Sequence, residues 1–231
     1  MKIIYWSDYA CPYCYIGEER LGRAVAEMGL EKEVQYEPRA FELDPAAPRE
    51  VVSDTASRFA AKYRLPLAEA EAQIAHISAL GQAEGIDFRY ATTLYTNTFD
   101  AHRLMKLALS LGDAERAAET NRLLFDAYFT KNLKLAEPST LLQVAREAGL
   151  PEDATRAMLA SDRFGAEVRD DEKEAARRGV RGVPYFVFED GFTVPGALSV
   201  ADFRSALERA LLAGGREGMR GQQCGPDGCL I

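Results

Sequence analysis

Two cysteines separated by two residues lie where a predicted β-strand gives way to a predicted helix. Cys11 and Cys14 follow the apolar stretch Lys2–Trp6, and a helical face with apolar residues at i, i+4 and i+7 comes after them. A helix N-terminus stabilises an anion through its free N–H groups and its dipole. We therefore expect Cys11 to be populated as the reactive thiolate, with Cys14 one turn further along. A C-x-x-C pair in a strand–helix–strand context is typical of thioredoxin-like redox sites.

Two other interpretations of the pair are half of a zinc site and two ordinary buried thiols. Zinc needs a second pair of ligands, and the chain has four cysteines in all, the other two being Cys224 and Cys229. We rate a site with zinc on all four thiols lowest and predict no bound metal. The redox interpretation requires the Cys11 sulfur to be ionised and reachable.

Charge and length exclude several classes of function. The 231 residues carry 28 basic and 36 acidic side chains, for a net charge of −8, so a nucleic-acid or anionic-membrane partner is not expected. No apolar run is long enough to span a bilayer. The first strand and Cys11 follow the N-terminus directly and leave no room for a signal peptide, so we expect a cytoplasmic protein. Thiols are kept reduced there, which favours catalysis, sensing or metal binding over structural disulfides.

The order of predicted elements indicates an α/β fold. A short strand at Val34–Glu37, ending at Pro38, follows the first helix. Only helices are predicted from about 44 to 162. A polar helix, two strands joined by Asp190-Gly191 and a last helix beginning near Ser199 complete the chain.

This order predicts a thioredoxin fold interrupted by an all-helical insertion. We place the thioredoxin-like domain at 1–43 and 162–213, the insertion at 44–161 and a flexible cysteine-containing tail at 214–231. Parallel strands end at the same edge of a sheet, so both ends of the insertion emerge beside the cysteine pair. The insertion is therefore expected to form a lid or wall over it, where ligands of open α/β sheets bind.

Five segments in order resemble the DsbA family of thiol–disulfide oxidoreductases, over nearly the whole chain. Within the family, the chain is similar to the cytoplasmic FrnE-like branch and to the related 2-hydroxychromene-2-carboxylate isomerases. The segments are Trp6-Ser7-Asp8-x-x-Cys11-Pro12-x-Cys14-Tyr15-Ile16-Gly17, Phe41-Glu42-Leu43, Asn97-Thr98-x-x-Ala101-His102-Arg103-Leu104, Gly179-Val180-x-Gly182-Val183-Pro184-x-Phe186 and Val194-x-Gly196-Ala197.

The resemblance implies roles for residues outside the pair. It implies that Pro184 is a cis-proline facing the thiols, with a catalytic role beside Cys11 and Cys14. It also implies a substrate-binding group, which we take as Pro12, Tyr13, Asn97, His102, Val183 and Gly196. A lone histidine is often a packed, hydrogen-bonded one, so His102 either lines the site or supports the core. We interpret His76, within another apolar helix face, as structural.

Two departures from the family pattern bear on the activity. Relatives often carry Ser-Gly-Ala-Gln where this chain has Pro195-Gly196-Ala197-Leu198, so a polar contact to glutathione or substrate is not expected there. In the isomerases, the position that matches Cys11 is usually serine. The presence of both cysteines therefore favours disulfide exchange.

The C-terminal Cys224 and Cys229 flank the turn-forming sequence Gly225-Pro226-Asp227-Gly228. Three interpretations remain: a terminal disulfide, half of a zinc site, and a pair that exchanges with Cys11 and Cys14. We favour a second redox pair.

The sequence thus predicts a cytoplasmic thiol–disulfide oxidoreductase or isomerase, in which Cys11 attacks and Cys14 resolves the mixed disulfide. No organic cofactor is expected, although glutathione is a possible co-substrate. The expected partners are thiol or disulfide proteins or glutathione, without nucleic acid or membrane, for a monomer or a homodimer. The alternatives are a glutathione-dependent isomerase of a small aromatic substrate and a redox-switched holdase or sensor.

Overall fold

The computed structural model describes residues 1–220, and in this part of the chain four strands form one mixed sheet in the order β2-β1-β3-β4. β2 pairs parallel to β1, whereas β3 is antiparallel to both β1 and β4. The mixed sheet and the many helices confirm the predicted α/β fold with a helical insertion. The strands are β1 (Lys2–Ser7), β2 (Gln35–Ala40), β3 (Tyr185–Phe188) and β4 (Thr193–Pro195).

Nine α-helices are described, and seven of them, α2 to α8, lie between β2 and β3. A 3₁₀ turn at Tyr90–Thr92 separates the third helix from the fourth. The domain boundaries proposed from the sequence remain a prediction. The helices are α1 (Pro12–Glu27), α2 (Thr55–Tyr63), α3 (Leu67–Ala83), α4 (Phe99–Ser110), α5 (Ala114–Phe129), α6 (Pro138–Glu147), α7 (Glu152–Leu159), α8 (Gly165–Arg177) and α9 (Val200–Arg220).

The second strand is longer than the sequence predicted. We expected it to end at Pro38, yet β2 continues through Pro38 to Ala40. β2 is an edge strand, with β1 as its neighbour in the sheet. A proline lacks an N–H donor, and an edge strand can leave that position of the ladder unpaired. Proline therefore did not stop the strand here.

Side chains of the sheet alternate between two buried layers. Ile3 and Tyr5 of β1 pack toward α1 and α9, together with Phe186 of β3. Trp6, one position on, belongs to the opposite face, where Ala175 of α8 lies in the same cluster. The sheet is thus covered by helices on both faces, as expected for an α/β fold.

A separate and larger core lies among the inserted helices. It is rich in aromatic rings, with Phe88, Phe125 and Phe129 at its centre. The start of α1 contributes to this core as well, because Tyr15 stacks on Phe125 with ring centroids 4.9 Å apart. The first turns of α1 therefore lie between the sheet and the inserted helices.

The helix that carries His76 differs from its prediction. His76 lies on the exposed side of α3, whereas Ile74 and Ile77 are its buried residues. The apolar stripe of α3 is narrow, and position 76 falls outside it. Among the described helices, none has the length and apolarity needed to cross a membrane.

Candidate active site

Cys11 lies at the N-cap of α1, and Pro12 is the first helical residue. The Cys11 backbone is extended (φ −94°, ψ 114°), and its N–H donates to the Asp8 carbonyl at 3.0 Å. The Cys14 N–H donates to the Cys11 carbonyl at 3.1 Å. Pro12 suits this first turn because it has no N–H to leave unpaired. Both cysteines are free thiols, and the strand-to-helix placement predicted for the pair is the one observed.

A second loop brings the region of Pro184 onto the first cysteine. The Cys11 thiol donates to the Val183 carbonyl with an S···O distance of 3.5 Å, and the Val183–Pro184 peptide bond is cis. The Pro184 carbonyl accepts from the N–H of Gly196 at 2.8 Å. Gly196 has φ +83°, a conformation that favours glycine. Cys11, Val183, Pro184 and Gly196 thus form one cluster, as the resemblance implied.

The approach of this loop to α1 depends on Gly17. A Cβ atom at Gly17 would lie 3.2 Å from both Pro184 Cγ and Ala197 Cβ. Arg20, one turn along α1, donates to the Ala197 carbonyl at 3.3 Å and pairs with Glu84 at 2.7 Å. The proline loop therefore packs closely against one flank of α1 at Gly17 and is held there by Arg20.

The dithiol is more buried than the sequence-based interpretation required. Cys11 is 4% exposed and Cys14 is 0% exposed, contrary to the expectation of a freely reachable sulfur. Both belong to the apolar core of the inserted helices, which also includes Phe59 and Tyr90. The insertion thus forms the wall that topology predicted. Tyr13, between the two cysteines, is 42% exposed.

Burial affects the second cysteine strongly. Desolvation, followed by the neighbouring Cys11 sulfur, raises the pKa of the Cys14 thiol well above its ordinary value. The charge of Glu18 raises this pKa further. Cys14 is accordingly held as a neutral thiol and must lose a proton before it can act as a nucleophile.

Glu18 lies one helical turn after Cys14 and was not identified from the sequence. Its carboxylate accepts from the Ser7 hydroxyl at 2.7 Å and from the Asn121 amide at 2.6 Å. Burial raises the pKa of this carboxyl to about 7, although Ser7, Asn121 and Tyr5 donate to it and oppose the shift. A carboxyl that titrates near neutral pH can accept or donate a proton under physiological conditions. The i, i+4 spacing from Cys14 could have indicated it.

His102 is positioned by Asp8 and Tyr9. The His102 Nε2 atom lies 3.7 Å from Asp8 Oδ1, and its ring is 4.9 Å from the Tyr9 ring. Burial would raise the pKa of the Asp8 carboxyl, but His102 and the N–H groups of Leu43 and Ala10 lower it overall. Because the Asp8 carbonyl also accepts from Cys11, His102 is connected to the dithiol through Asp8.

Asn97 belongs to a polar cluster at the start of α4. Its amide donates to Glu42 at 3.0 Å, and its side-chain oxygen accepts from the Phe99 N–H at 2.9 Å. Glu42 also pairs with Arg169 of α8. These contacts join the strand β2, α4 and α8, so the observed partners of Asn97 are structural groups. A substrate-binding role for Asn97 remains a prediction.

The remaining site predictions are only partly within the described residues. Cys224 and Cys229, predicted as a second redox pair, lie outside them. Within residues 1–220, no three His, Cys, Asp or Glu side chains are grouped closely enough to hold a metal ion.

Comparison with solved structures identifies related proteins over almost the full chain. A probable DsbA oxidoreductase from Streptomyces coelicolor is 32% identical, with a TM-score of 0.85, and the match covers 100% of this chain and 99% of the other. A 2-hydroxychromene-2-carboxylate isomerase shares the fold at 17% identity and a TM-score of 0.68, covering 96% of this chain and 100% of the isomerase. The cytosolic disulfide reductase DsbM from Pseudomonas aeruginosa is 20% identical, with a TM-score of 0.61 over 91% of this chain and 98% of DsbM.

Sequence comparison gives the same assignment. The chain is 21% identical to the uncharacterized protein YwbO of Bacillus subtilis (strain 168) over 207 residues, which is 87% of this chain and 93% of YwbO. The family model described as a DSBA-like thioredoxin domain matches residues 2–208. With the dithiol at a helix N-terminus and the cis-proline beside it, the chain belongs to the DSBA-like thioredoxin domain family.

Proposed function

We propose that this protein is a thiol–disulfide oxidoreductase or isomerase whose redox centre is Cys11-Pro12-Tyr13-Cys14. One observation carries the proposal: the Cys11 sulfur lies at the N-cap of α1 and contacts the Val183 carbonyl next to cis-Pro184. The helix N-terminus stabilises negative charge on this sulfur. The proline loop presents backbone groups beside it, where an extended disulfide substrate or a thiol ligand can pair.

The reaction proceeds by two exchanges. The Cys11 thiolate attacks one sulfur of a substrate disulfide, forms a mixed disulfide and releases the other substrate sulfur as a thiolate. The Cys14 thiolate then attacks the Cys11 sulfur, forms the Cys11–Cys14 disulfide and releases the second substrate thiolate. The substrate gains two electrons and the cysteine pair loses them. The reverse sequence oxidises a substrate dithiol.

The second exchange needs a proton acceptor, and Glu18 suits this role. Cys14 is a neutral thiol with a raised pKa, whereas the Glu18 carboxyl has a pKa of about 7. A base with a pKa near the working pH is effective in proton transfer. The proton of Cys14 thus passes to Glu18 as its sulfur attacks Cys11, and returns in the reverse direction.

The small exposure of Cys11 bears on the substrate. A cysteine residue that is 4% exposed admits a narrow thiol more readily than a folded protein surface. Glutathione is therefore our proposed co-substrate, and a solved structure of the reductase DsbM contains GSH. A polypeptide substrate would require part of the surrounding helical wall to move. We propose a cytoplasmic location, as for DsbM, and a monomer or homodimer.

A glutathione-dependent isomerase of a small aromatic substrate is the second candidate, favoured by the fold shared with 2-hydroxychromene-2-carboxylate isomerase. In that case Cys11 would hold glutathione and Cys14 would be dispensable. A redox-switched holdase is the third, in which oxidation changes partner binding without turnover.

Single-cysteine variants test the proposal. Cys14→Ser should accumulate a mixed disulfide between Cys11 and glutathione, detected by mass spectrometry, because the resolving thiol is absent. Cys11→Ser should form no such adduct and should lose at least about 10³-fold of the rate of insulin reduction or of scrambled-disulfide repair, because the attacking thiolate is gone. Full turnover by Cys14→Ser with an aromatic substrate and glutathione would favour the isomerase instead. Suppressed aggregation without turnover would favour the holdase.

The tail pair Cys224 and Cys229 is proposed as a second redox centre coupled to the first. In two double variants, Cys14→Ser with Cys229→Ser and Cys14→Ser with Cys224→Ser, oxidation should link Cys11 to the remaining tail cysteine in at least one of them, which peptide mapping detects. If that link is absent from both variants at every oxidant concentration, the two pairs are not coupled.

A further inference from the structure

A wide groove runs along the flank of α1 that faces β2 and α5. Its volume is about 880 Å3, within the range of about 300–1,000 Å3 that small-molecule sites occupy. Of the groups in the proposed redox chemistry, the groove contains Glu18 but not Cys11, Cys14 or the 183–184 loop.

The groove follows from the way in which helices cover the sheet. α1 packs over β1 and β3, through Leu21 and Val25 against Ile3 and Phe186. The edge strand β2 extends beyond α1, so Tyr36 is 40% exposed on that side. Gly112 and Asp113, in the turn between α4 and α5, also line the groove. A trough is left between the strand and the two helices.

Aromatic rings form much of the groove wall. Tyr36 provides the outer ring, Tyr5 lies beside it with ring centroids 6.4 Å apart, and the stacked pair Tyr15 and Phe125 lines the inner end. Tyr36 is the exposed ring of this wall, whereas Tyr5, Tyr15 and Phe125 show only their edges to the groove at 1–6% exposure. An exposed aromatic face attracts a cation through the ring quadrupole and also buries an apolar body. The wall therefore suits a ligand that combines a positive charge with an apolar body.

The charges in the groove are predominantly acidic. Glu18 lies at its inner end, held by Ser7 and Asn121. Four further carboxylates are Glu19, Glu31, Asp113 and Glu115.

The two arginines of the groove are already paired with carboxylates outside it. Arg23 contacts Glu84 at 3.0 Å, and Arg122 contacts Glu119 at 2.6 Å. Glu18, in contrast, has neutral donors on both carboxylate oxygens. A partly buried carboxylate with neutral partners is stabilised by a cation that enters the groove.

We propose that this groove binds an alkyl- or arylalkylammonium ion, with the ammonium group at Glu18 and the apolar body against Tyr36 and Tyr15. An anion is disfavoured by the five carboxylates. A neutral molecule of the same shape gains the apolar contacts but neither the charge pair nor the cation–π interaction.

Isothermal titration calorimetry of the reduced, full-length protein with three matched probes tests the proposal. The probes are 2-phenylethylammonium, its neutral analogue 2-phenylethanol and the anion phenylacetate. The ammonium ion should bind, the alcohol at least about tenfold more weakly, and the anion more weakly still. Equal binding of the ammonium ion and the alcohol, preferred binding of the anion, or no binding of any probe would overturn it.

Two variant pairs localise the binding. Tyr36→Leu should weaken ammonium binding several-fold, whereas Tyr36→Phe should retain it, because the ring and not the hydroxyl group faces the cation. Glu18→Gln should reduce the affinity for the ammonium ion to that for the alcohol, with Glu69→Gln on α3 as a matched control outside the groove. Unchanged affinity in both Tyr36→Leu and Glu18→Gln would place the bound probe elsewhere and refute the proposal.

A second copy of this chain could cover the same groove. Light scattering after size-exclusion chromatography, with and without the ammonium probe, distinguishes that case. A dimer that persists in the presence of the probe and excludes it would show that the groove is an interface between copies. A monomer that binds the probe supports the proposal.

Discussion

The sheet and the inserted helices contribute differently to the dithiol between them. On the sheet side, one loop makes the contacts: the Val183 carbonyl lies at Cys11, and the Pro184 ring and the Ala197 methyl group pack against Gly17. On the helical side, side chains make the contacts, and both sulfurs belong to that apolar core. The sheet side therefore fixes the geometry of Cys11, and the helical side determines the solvation of Cys14.

This difference changes how the insertion should be viewed. A lid covers a site that is complete without it, whereas here the inserted helices form the low-dielectric surroundings that raise the pKa of Cys14. Changes in the helical core should therefore alter thiol reactivity, and changes of similar size in the sheet core should not.

The largest expected effect comes from truncating one phenylalanine in each core. Phe125 is 1% exposed and lies between Tyr9 and Tyr15, while Phe203 is 0% exposed and lies 5.2 Å from Phe186. Phe125→Ala and Phe203→Ala should each lower the free energy of unfolding by about 3–5 kcal/mol, measured by urea denaturation, because each leaves a cavity in a packed core.

Only the helical-core variant should change the dithiol. Phe125→Ala is expected to increase the alkylation rate of Cys14 by a small maleimide under native conditions, because water reaches the space beside Tyr15. Phe203→Ala serves as the control, with equal loss of stability and an unchanged alkylation rate. An equal increase in the Cys14 alkylation rate in both variants would mean that alkylation follows global unfolding. The helical core would then have no special effect on the solvation of Cys14.

The next largest expected effect is on the pH dependence of the free energy of unfolding, and it comes from Glu18. Glu18 has a pKa of about 7 in the folded protein, above its ordinary value of 4.5. The folded state therefore binds this proton more tightly, and the resulting stabilisation is complete below about pH 4.5 and lost as the pH rises through about 7. Glutamine does not titrate. The difference in unfolding free energy, Glu18→Gln minus parent, should therefore rise by about 1–3 kcal/mol from pH 5 to pH 8, because only the parent loses this stabilisation.

The comparison should be made in a Cys14→Ser background, so that titration of the thiol does not contribute. Glu19, whose pKa is also raised by burial, is present in both proteins and cancels. A difference between parent and variant that stays constant from pH 5 to pH 8 would show that Glu18 is ionised throughout, and would remove it as the proton acceptor for Cys14.

The elements of the fold were accessible from sequence because local patterns determine them. The apolar strand before Cys11, the Pro12 helix start and the Asp190-Gly191 turn each have a direct physical meaning. The end of β2 was missed because a proline is tolerated at a sheet edge, and edge position is not visible in one sequence. His76 was misplaced for a similar reason, since a helical face shows which residues can be buried together but not how wide the buried stripe is.

The dithiol at a helix start was predicted from the C-x-x-C spacing, whereas the residues around it were predicted only where the resemblance supplied them. The cluster of Cys11, Val183, Pro184 and Gly196 was anticipated in this way, and it is observed. Glu18 was missed because a glutamate in an amphipathic helix usually faces solvent. Its role depends on Ser7 and Asn121, which lie 11 and 103 residues away along the chain. The i, i+4 spacing from Cys14 places Glu18 on the same face of α1, but partners this far along the chain leave no local signature.

The smallest expected change in stability comes from alanine substitutions at two glycines of α1. A methyl group at Gly17 would meet Pro184 and Ala197 at 3.2 Å, whereas a methyl group at Gly22 would meet nothing within 4 Å. Gly17→Ala should therefore lose about 1 kcal/mol of unfolding free energy, because crowding outweighs the gain in helix propensity. Gly22→Ala should gain about 0.5–1 kcal/mol from helix propensity alone. Urea denaturation measures both.

The two substitutions also separate geometry from stability at the redox centre. Gly17→Ala pushes the proline loop away from α1, so it should slow the reaction of Cys11 with glutathione disulfide by several-fold. Gly22→Ala leaves that loop in place and should react at the parental rate, although its helix is the more stable of the two. If both variants reacted at the parental rate, the Val183 carbonyl and Pro184 would not determine the reactivity of Cys11, and the contribution assigned to the sheet side would be wrong.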